Sequence, residues 1–169
     1  AAFDMETGSV VDMEGNVVKE PVRIETGAGP SLAINGELMT ADNYSDLTTI
    51  DGVSGKVSYN PETNVITLEN ATIESKEEAA GIMSSIEGLT IELVGANTIK
   101  QGSYGMGFSK AATIRGEGTL DITDTSMGIL LYGANLNIDT TTVNVKGVMG
   151  ISGTSDDIEN LFIRNATLT

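Results

Sequence analysis

A chain of 169 residues with 40% hydrophobic content and a mean hydropathy of +0.03 fits one ordinary domain with a real core. It has no cysteine and no histidine, which excludes disulfides, thiolate metal sites and the usual general base, and leaves carboxylates, lysine, arginine or tyrosine for any catalysis. A net charge of −15 repels nucleic acid and anionic membranes, and no apolar run is long enough to span a bilayer.

The acid is concentrated at the front. Residues 1–80 hold 15 acids against 4 bases, and residues 81–169 hold 9 against 5, so residues 1–31 read as an acidic lead segment. The chain starts at Ala1-Ala2 with no charged and apolar leader, as a processed or trimmed product would. Next, Asn35-Gly36 sits between apolar residues, and the stretch from Val57 through Asn60-Pro61 to Ile66 alternates around a turn. Both patterns predict hairpins, so residues 32–65 are expected to cap whatever follows.

From residue 66 to residue 169 a three-part pattern recurs. An alternating strand comes first: Ile66-Thr67-Leu68, Leu89-Thr90-Ile91, Ala112-Thr113-Ile114, Leu136-Asn137-Ile138 and Leu161-Phe162-Ile163, spaced by 23, 23, 24 and 25 residues. A threonine followed by an aliphatic residue comes second, at Thr72-Ile73, Thr98-Ile99, Thr119-Leu120, Thr142-Val143 and Thr167-Leu168. A small residue or methionine, then glycine, then an apolar residue comes third, at Ala80-Gly81-Ile82, Met106-Gly107-Phe108, Met127-Gly128-Ile129 and Met149-Gly150-Ile151. Three short period-two segments per turn predict an all-β, right-handed parallel β-helix of about five coils, whose stacked turns share a core that no single turn could bury. The right hand follows from the general preference of parallel crossovers. Helical starts at Ser75-Lys76-Glu77 and Ser155-Asp156-Asp157 fall between the repeat parts and read as loops or single turns.

This alignment predicts vertical columns. Ile91, Ile114, Ile138 and Ile163 should form one inward stack, and Ile99, Leu120 and Val143 another. Met106, Met127 and Met149 should stack in the core. Two outer ladders should alternate in charge: Glu69, Glu92, Arg115, Asp139, Arg164 and Glu74, Lys100, Asp121, Asn144, Thr169. Nothing after Thr169 covers the last coil, which predicts either a continuing chain or end-to-end association through the C-terminal coil.

The stretch from Gly55-Lys56-Val57 through Thr67-Leu68-Glu69-Asn70, together with Leu89 to Ile99 and Gly116-Glu117-Gly118-Thr119-Leu120, resembles bacterial cell-surface modules of gut Firmicutes. Such modules are similar to the β-helical carbohydrate-binding domains of clostridia, some of which bind calcium and acidic plant polysaccharide. The resemblance covers residues 32–169 and rests on scaffold motifs. It implies a secreted or cell-surface location and a polysaccharide or surface-glycan partner, and it assigns no residue to a binding role.

From the residues themselves, a sugar ring would dock on aromatic faces, and Tyr104 and Tyr132 flank the glycines Gly107, Gly128 and Gly150. Glycines facing outward would leave a smooth strip for a flat glycan; glycines that merely permit the turn would leave none. Calcium, the one cofactor with candidate ligands, would draw on the acidic loops at Asp121 and Asp124 with Ser126, and at Asp156 and Asp157 with Glu159. Catalytic residues are not assigned: Asp121, Asp124 and Asp139 are the best carboxylate cluster for a glycosidase, and Lys100 and Arg115 the best bases for a lyase, yet all but Asp124 already have ladder roles. The resemblance, with no assembled catalytic cluster beside it, thus implies a non-enzymatic surface module that binds carbohydrate or mediates adhesion, ahead of a passive spacer and a β-helix lyase or glycosidase.

Overall fold

The computed structural model describes residues 2–4, 9–11, 31–154 and 158–169. Strands β1 (Ala2–Asp4) and β2 (Ser9–Val11) pair antiparallel with each other. The other fourteen strands belong to one continuous sheet that winds into a parallel β-helix, and no α-helix occurs among the described residues.

Each turn has three faces. The first is built from β6 (Val65–Glu74, first half), β8 (Leu89–Val94), β11 (Ala112–Arg115), β13 (Leu136–Asp139) and β15 (Leu161–Arg164). The second takes the rest of β6 with β9 (Ala96–Lys100), the first half of β12 (Thr119–Leu131), the first half of β14 (Thr142–Gly153) and β16 (Thr167–Leu168). The third is made by β7 (Ala80–Ser84), β10 (Tyr104–Phe108) and the second halves of β12 and β14. The result is four full turns and the first two strands of a fifth.

Two hairpins cap the first turn. β3 (Leu32–Ile34) and β4 (Glu37–Leu38) are joined by Asn35 and Gly36, both at positive φ as a tight hairpin turn requires, and β3 lies antiparallel on β7. β5 (Val53–Asn60) lies antiparallel along the whole of β6 and so covers the other two faces. Asn35 is buried and ties cap to coil: its amide donates to the carbonyls of Asp51 (2.6 Å) and Glu74 (3.2 Å), and its oxygen accepts from the Lys76 amide (2.7 Å).

The isoleucine stack forms as expected, with Ile91, Ile114, Ile138 and Ile163 in register and the first three fully buried, and Ile66, fully buried too, extends it by one turn. Elsewhere the register departs from the sequence alignment by two residues. On the first face Ile66, not Leu68, pairs with Ile91, because the strands of the first two turns carry a second inward residue, Leu68 beside Leu93. Glu69 therefore leaves the predicted charge ladder; Thr67 takes its place beside Glu92, and Glu69 meets Lys56 of β5 at 2.7 Å. On the second face Ile99 stacks with Ile73 and Ile122, while Leu120 stacks with Val143 and faces Asn97. The second ladder changes accordingly: Glu74 and Lys100 pair at 2.9 Å, but their column continues to Thr123 and Lys146, and Asp121 stands between Thr98 and Asn144.

Asn97 explains the slip. An inward position on a buried face is expected to be apolar, yet this side chain is 1% exposed and fully employed. Its oxygen accepts from the Ala71 amide (2.9 Å), and its nitrogen donates to the carbonyls of Val94 (3.2 Å), Gly95 (3.4 Å) and Thr119 (3.1 Å). One amide thus holds the corner between the first two faces across three consecutive turns. Replacing it leaves a buried backbone N–H without a partner, so Asn97→Ala should cost about 2 kcal/mol in urea unfolding. Thr98→Ala, on the outer side of the same strand, should change stability by less than about 0.5 kcal/mol.

Candidate functional site

The third face decides what the glycines do. Its register aligns Gly81, Gly105, Gly128 and Gly150, flanked by Ala80, Tyr104, Met127 and Met149 on one side and Ile82, Met106, Ile129 and Ile151 on the other. Gly105, rather than Gly107, is the member from the second turn. In the first three turns both the glycine and the residue after it are buried, so two successive positions face inward at this corner. A side chain at the first would collide with the facing strand: a β-carbon on Gly81, Gly105 or Gly128 would overlap the γ-carbon of Ile99, Ile122 or Val145, and the carbonyl oxygen of the next glycine. In the first three turns the column is interior, so Gly128 is no part of an outer strip; Gly150, in the fourth, is exposed with nothing within 4 Å of a β-carbon, and stands apart from Tyr104 and Tyr132.

The methionines divide for the same reason. Met106 is fully buried between Ile82 and Ile129, whereas Met127 lies beside Tyr104, and Met149 beside Met127 is 45% exposed. The predicted methionine stack does not form.

Gly107 points away from the core but is itself buried beneath neighbouring side chains. A β-carbon there would meet only the thioether of Met83, with the Tyr132 ring 3.8 Å away. Tyr104 and Tyr132, 28 residues apart, come together beside it; burial, and then the Tyr104 phenol, push the Tyr132 hydroxyl above its ordinary pKa. Of the five predicted sugar-contact residues, the structure therefore unites Tyr104, Tyr132 and Gly107.

The candidate calcium ligands do not converge among the described residues, where no group of three or more acidic side chains forms. The Asp121 carboxylate accepts from the Asn144 amide at 2.7 Å. Asp124, at a left-handed corner (φ 57°), lines a shallow depression with the buried hydroxyl of Thr125, but Lys146 lines it too and its charge opposes a cation. Asp156 and Asp157 lie outside the described residues. Their neighbour Glu159 accepts from the Thr154 amide (2.8 Å), the Thr154 hydroxyl (2.9 Å) and the Gly133 amide (3.2 Å), which hold its carboxyl below the ordinary range. Lys100 and Arg115 are engaged with Glu74 and Glu92, at 2.9 and 2.8 Å.

A concave site lies at the other end, between the cap and the first turn. A cleft of about 490 Å³ is lined by Leu32, Leu38, Met39, Tyr44, Tyr59, Pro61 and Ile86, with Ser31, Asn64 and Glu87 supplying polar groups. Local chemistry builds it. Asn43 accepts from the Thr40 amide (2.9 Å), and Asp46 caps the 3₁₀ turn Leu47–Thr49 by accepting from the amide (3.0 Å) and hydroxyl (2.6 Å) of Thr48. These turns present Tyr44 to β5, where the Tyr59 amide donates to the Tyr44 carbonyl (2.7 Å) and the two rings meet edge to face, centroids 5.1 Å apart. Burial, then Tyr44, raises the Tyr59 pKa, and the Tyr59 hydroxyl donates to the Asn64 side-chain oxygen at 3.1 Å. Sequence reasoning passed over both tyrosines because they lie in the cap, outside the repeat.

No protein-family model, curated protein or solved structure matches the chain. The two kinds of glycine can be told apart by substitution. Gly105→Ala forces a β-carbon onto Ile122 and a backbone carbonyl and should cost roughly 2 kcal/mol or more in chemical unfolding. Gly107→Ala displaces only the flexible end of Met83 and should cost less than about 1 kcal/mol.

Proposed function

We propose that this chain is a non-enzymatic module, displayed outside the cell, that binds a neutral carbohydrate in the cleft between its cap and its first coil. The observation that carries the reading is the cleft's composition: an edge-to-face tyrosine pair and apolar walls, with Asn64 and Glu87 at the margin. Pyranose rings present C–H faces that pack on aromatic and aliphatic groups, and hydroxyls that need a few placed acceptors and donors. Neutral sugar is favoured because the net charge of −15 repels uronic acids. Binding without turnover fits a lining in which only Glu87 carries a carboxylate, whereas glycoside hydrolysis uses two across the bond. The Tyr104–Tyr132 pair beside Gly107 is the second reading, because the two phenols come together there and the Tyr132 ring is 38% exposed, leaving an aromatic edge for a sugar to pack on.

A neutral and acidic polysaccharide array, followed by calorimetry on the best ligand, separates these readings. Tyr44→Ala should weaken binding roughly tenfold, with a cost of about 1 kcal/mol in stability from the lost ring contact with Tyr59, and Tyr132→Ala should leave affinity intact. The reverse pattern moves the site to the coil face. Binding to nothing on the array favours a spacer, and release of reducing ends or unsaturated products would establish an enzyme.

A further inference from the structure

The cleft and a second concavity lie at opposite ends of one strand. Asn64 and Glu87, at the margin of the cleft, stand immediately before β6 and two residues before β8, where the first face begins. At the far end of β8, where the first face turns into the second, a groove of about 660 Å³ is lined by Glu92, Val94, Gly95, Arg115, Glu117 and Thr140.

The groove is a step in the cross-section of the coil. The first two turns carry Leu68 and Leu93 as an extra inward pair, whereas the third turn leaves the first face at Arg115. Its chain cuts inward against the second turn: β-carbons on Gly116 and Gly118 would strike the backbone of Leu93, and the amides of Gly118 and Thr119 donate to the carbonyls of Leu93 (3.0 Å) and Gly95 (2.8 Å). Val94 is left overhanging, 43% exposed, although the second, third and fourth turns that form this corner each have a neighbouring turn on both sides.

The lining of the step suits a polyol. Arg115 holds the Glu92 carboxylate through Nε at 2.8 Å, so its terminal N–H groups can donate to hydroxyls; Glu117 is exposed and can accept from them, and Val94 offers apolar surface to C–H groups. Between cleft and step, the outward positions of β8 are Thr90 and Glu92, flanked by Val65 and Thr67 on one neighbouring strand and by Thr113 and Arg115 on the other. The six residues of β8 extend about 20 Å. A pyranose unit, built of bonds of about 1.5 Å, advances a chain by about 5 Å, so roughly four units cross the strand and about six reach from cleft to step.

We propose, on the basis of sugar binding in the cleft, that the partner is a straight, neutral polysaccharide chain, held at one point in the tyrosine cleft, laid along the outer side of β8 and gripped again at the step beside Val94. A β-1,4-linked glucan fits this path, because its equatorial linkages keep the chain extended and its C–H faces flat. Two modest grips on one chain reinforce each other, since the second is engaged at high effective concentration once the first is made.

Calorimetry on the full chain with cellobiose and cellohexaose tests the span. Cellohexaose should bind roughly tenfold tighter than cellobiose. Val94→Arg, which fills the step at the end of β8 away from the cleft, should abolish most of that advantage and leave cellobiose affinity unchanged. Glu117→Ala, a milder change at an exposed site, should reduce the advantage about threefold. Equal affinity for the two sugars, or a length advantage that survives both substitutions, overturns the proposal while sugar binding in the cleft stands. Binding of neither sugar overturns it as well, and the cleft is then decided by the effect of Tyr44→Ala on whichever neutral polysaccharide the array returns.

Discussion

The structure depends on the parallel backbone ladder between turns. The strands of the middle turns make their hydrogen bonds to the turns before and after them, and their inward side chains pack against the same position one turn away. A turn in isolation satisfies neither its amides nor its apolar residues. The consequences are felt at the ends and at the corners.

At the N-terminal end the ladder is closed by reversing direction. β5 and β3 lie antiparallel on the first turn and use up the bonds that a preceding turn would have made. Their own far sides then face a different problem, since chain that departs from the coil path must be anchored locally. Asn35, Asn43 and Asp46 do this by bonding backbone amides and carbonyls within reach, and the same turns hold Tyr44 against Tyr59. The cleft is thus a by-product of capping: a groove forms where an irregular chain crosses the end of a regular one.

At the corners, geometry overrides chemistry. Two successive inward residues on the third face demand a glycine first, because the facing strand already fills the space with Ile99, Ile122 and Val145. The corner between the first two faces demands a polar group in the interior, and Asn97 supplies it while bonding three turns together. Exposed ion pairs such as Arg115–Glu92 and Lys100–Glu74 contribute little energy by comparison. Their value lies in register, because a slip of one turn sets Arg115 beside Arg164 and Lys100 beside Lys146.

The sequence alone determined the class of fold, the capping hairpins and the isoleucine stack from Ile91 to Ile163, because period-two alternation recurring every 21 to 26 residues admits few architectures other than a solenoid. It did not determine register. The repeat was aligned on its most similar letters, which put Leu120 with Ile99 and Gly107 with Gly128, whereas the coil aligns backbone that must bond; Asn97 and Gly105 occupy the equivalent positions despite looking unlike their neighbours. The sites divide in the same way. Tyr104 and Tyr132 could be named from their place beside the third repeat part, but that they meet over Gly107, while Gly128 turns inward, was settled by how the faces fold against each other. Tyr44 and Tyr59 gave no periodic signal, since a cap is a single irregular event; only the packing of that cap on the first turn brings the two rings together and opens a cleft between them.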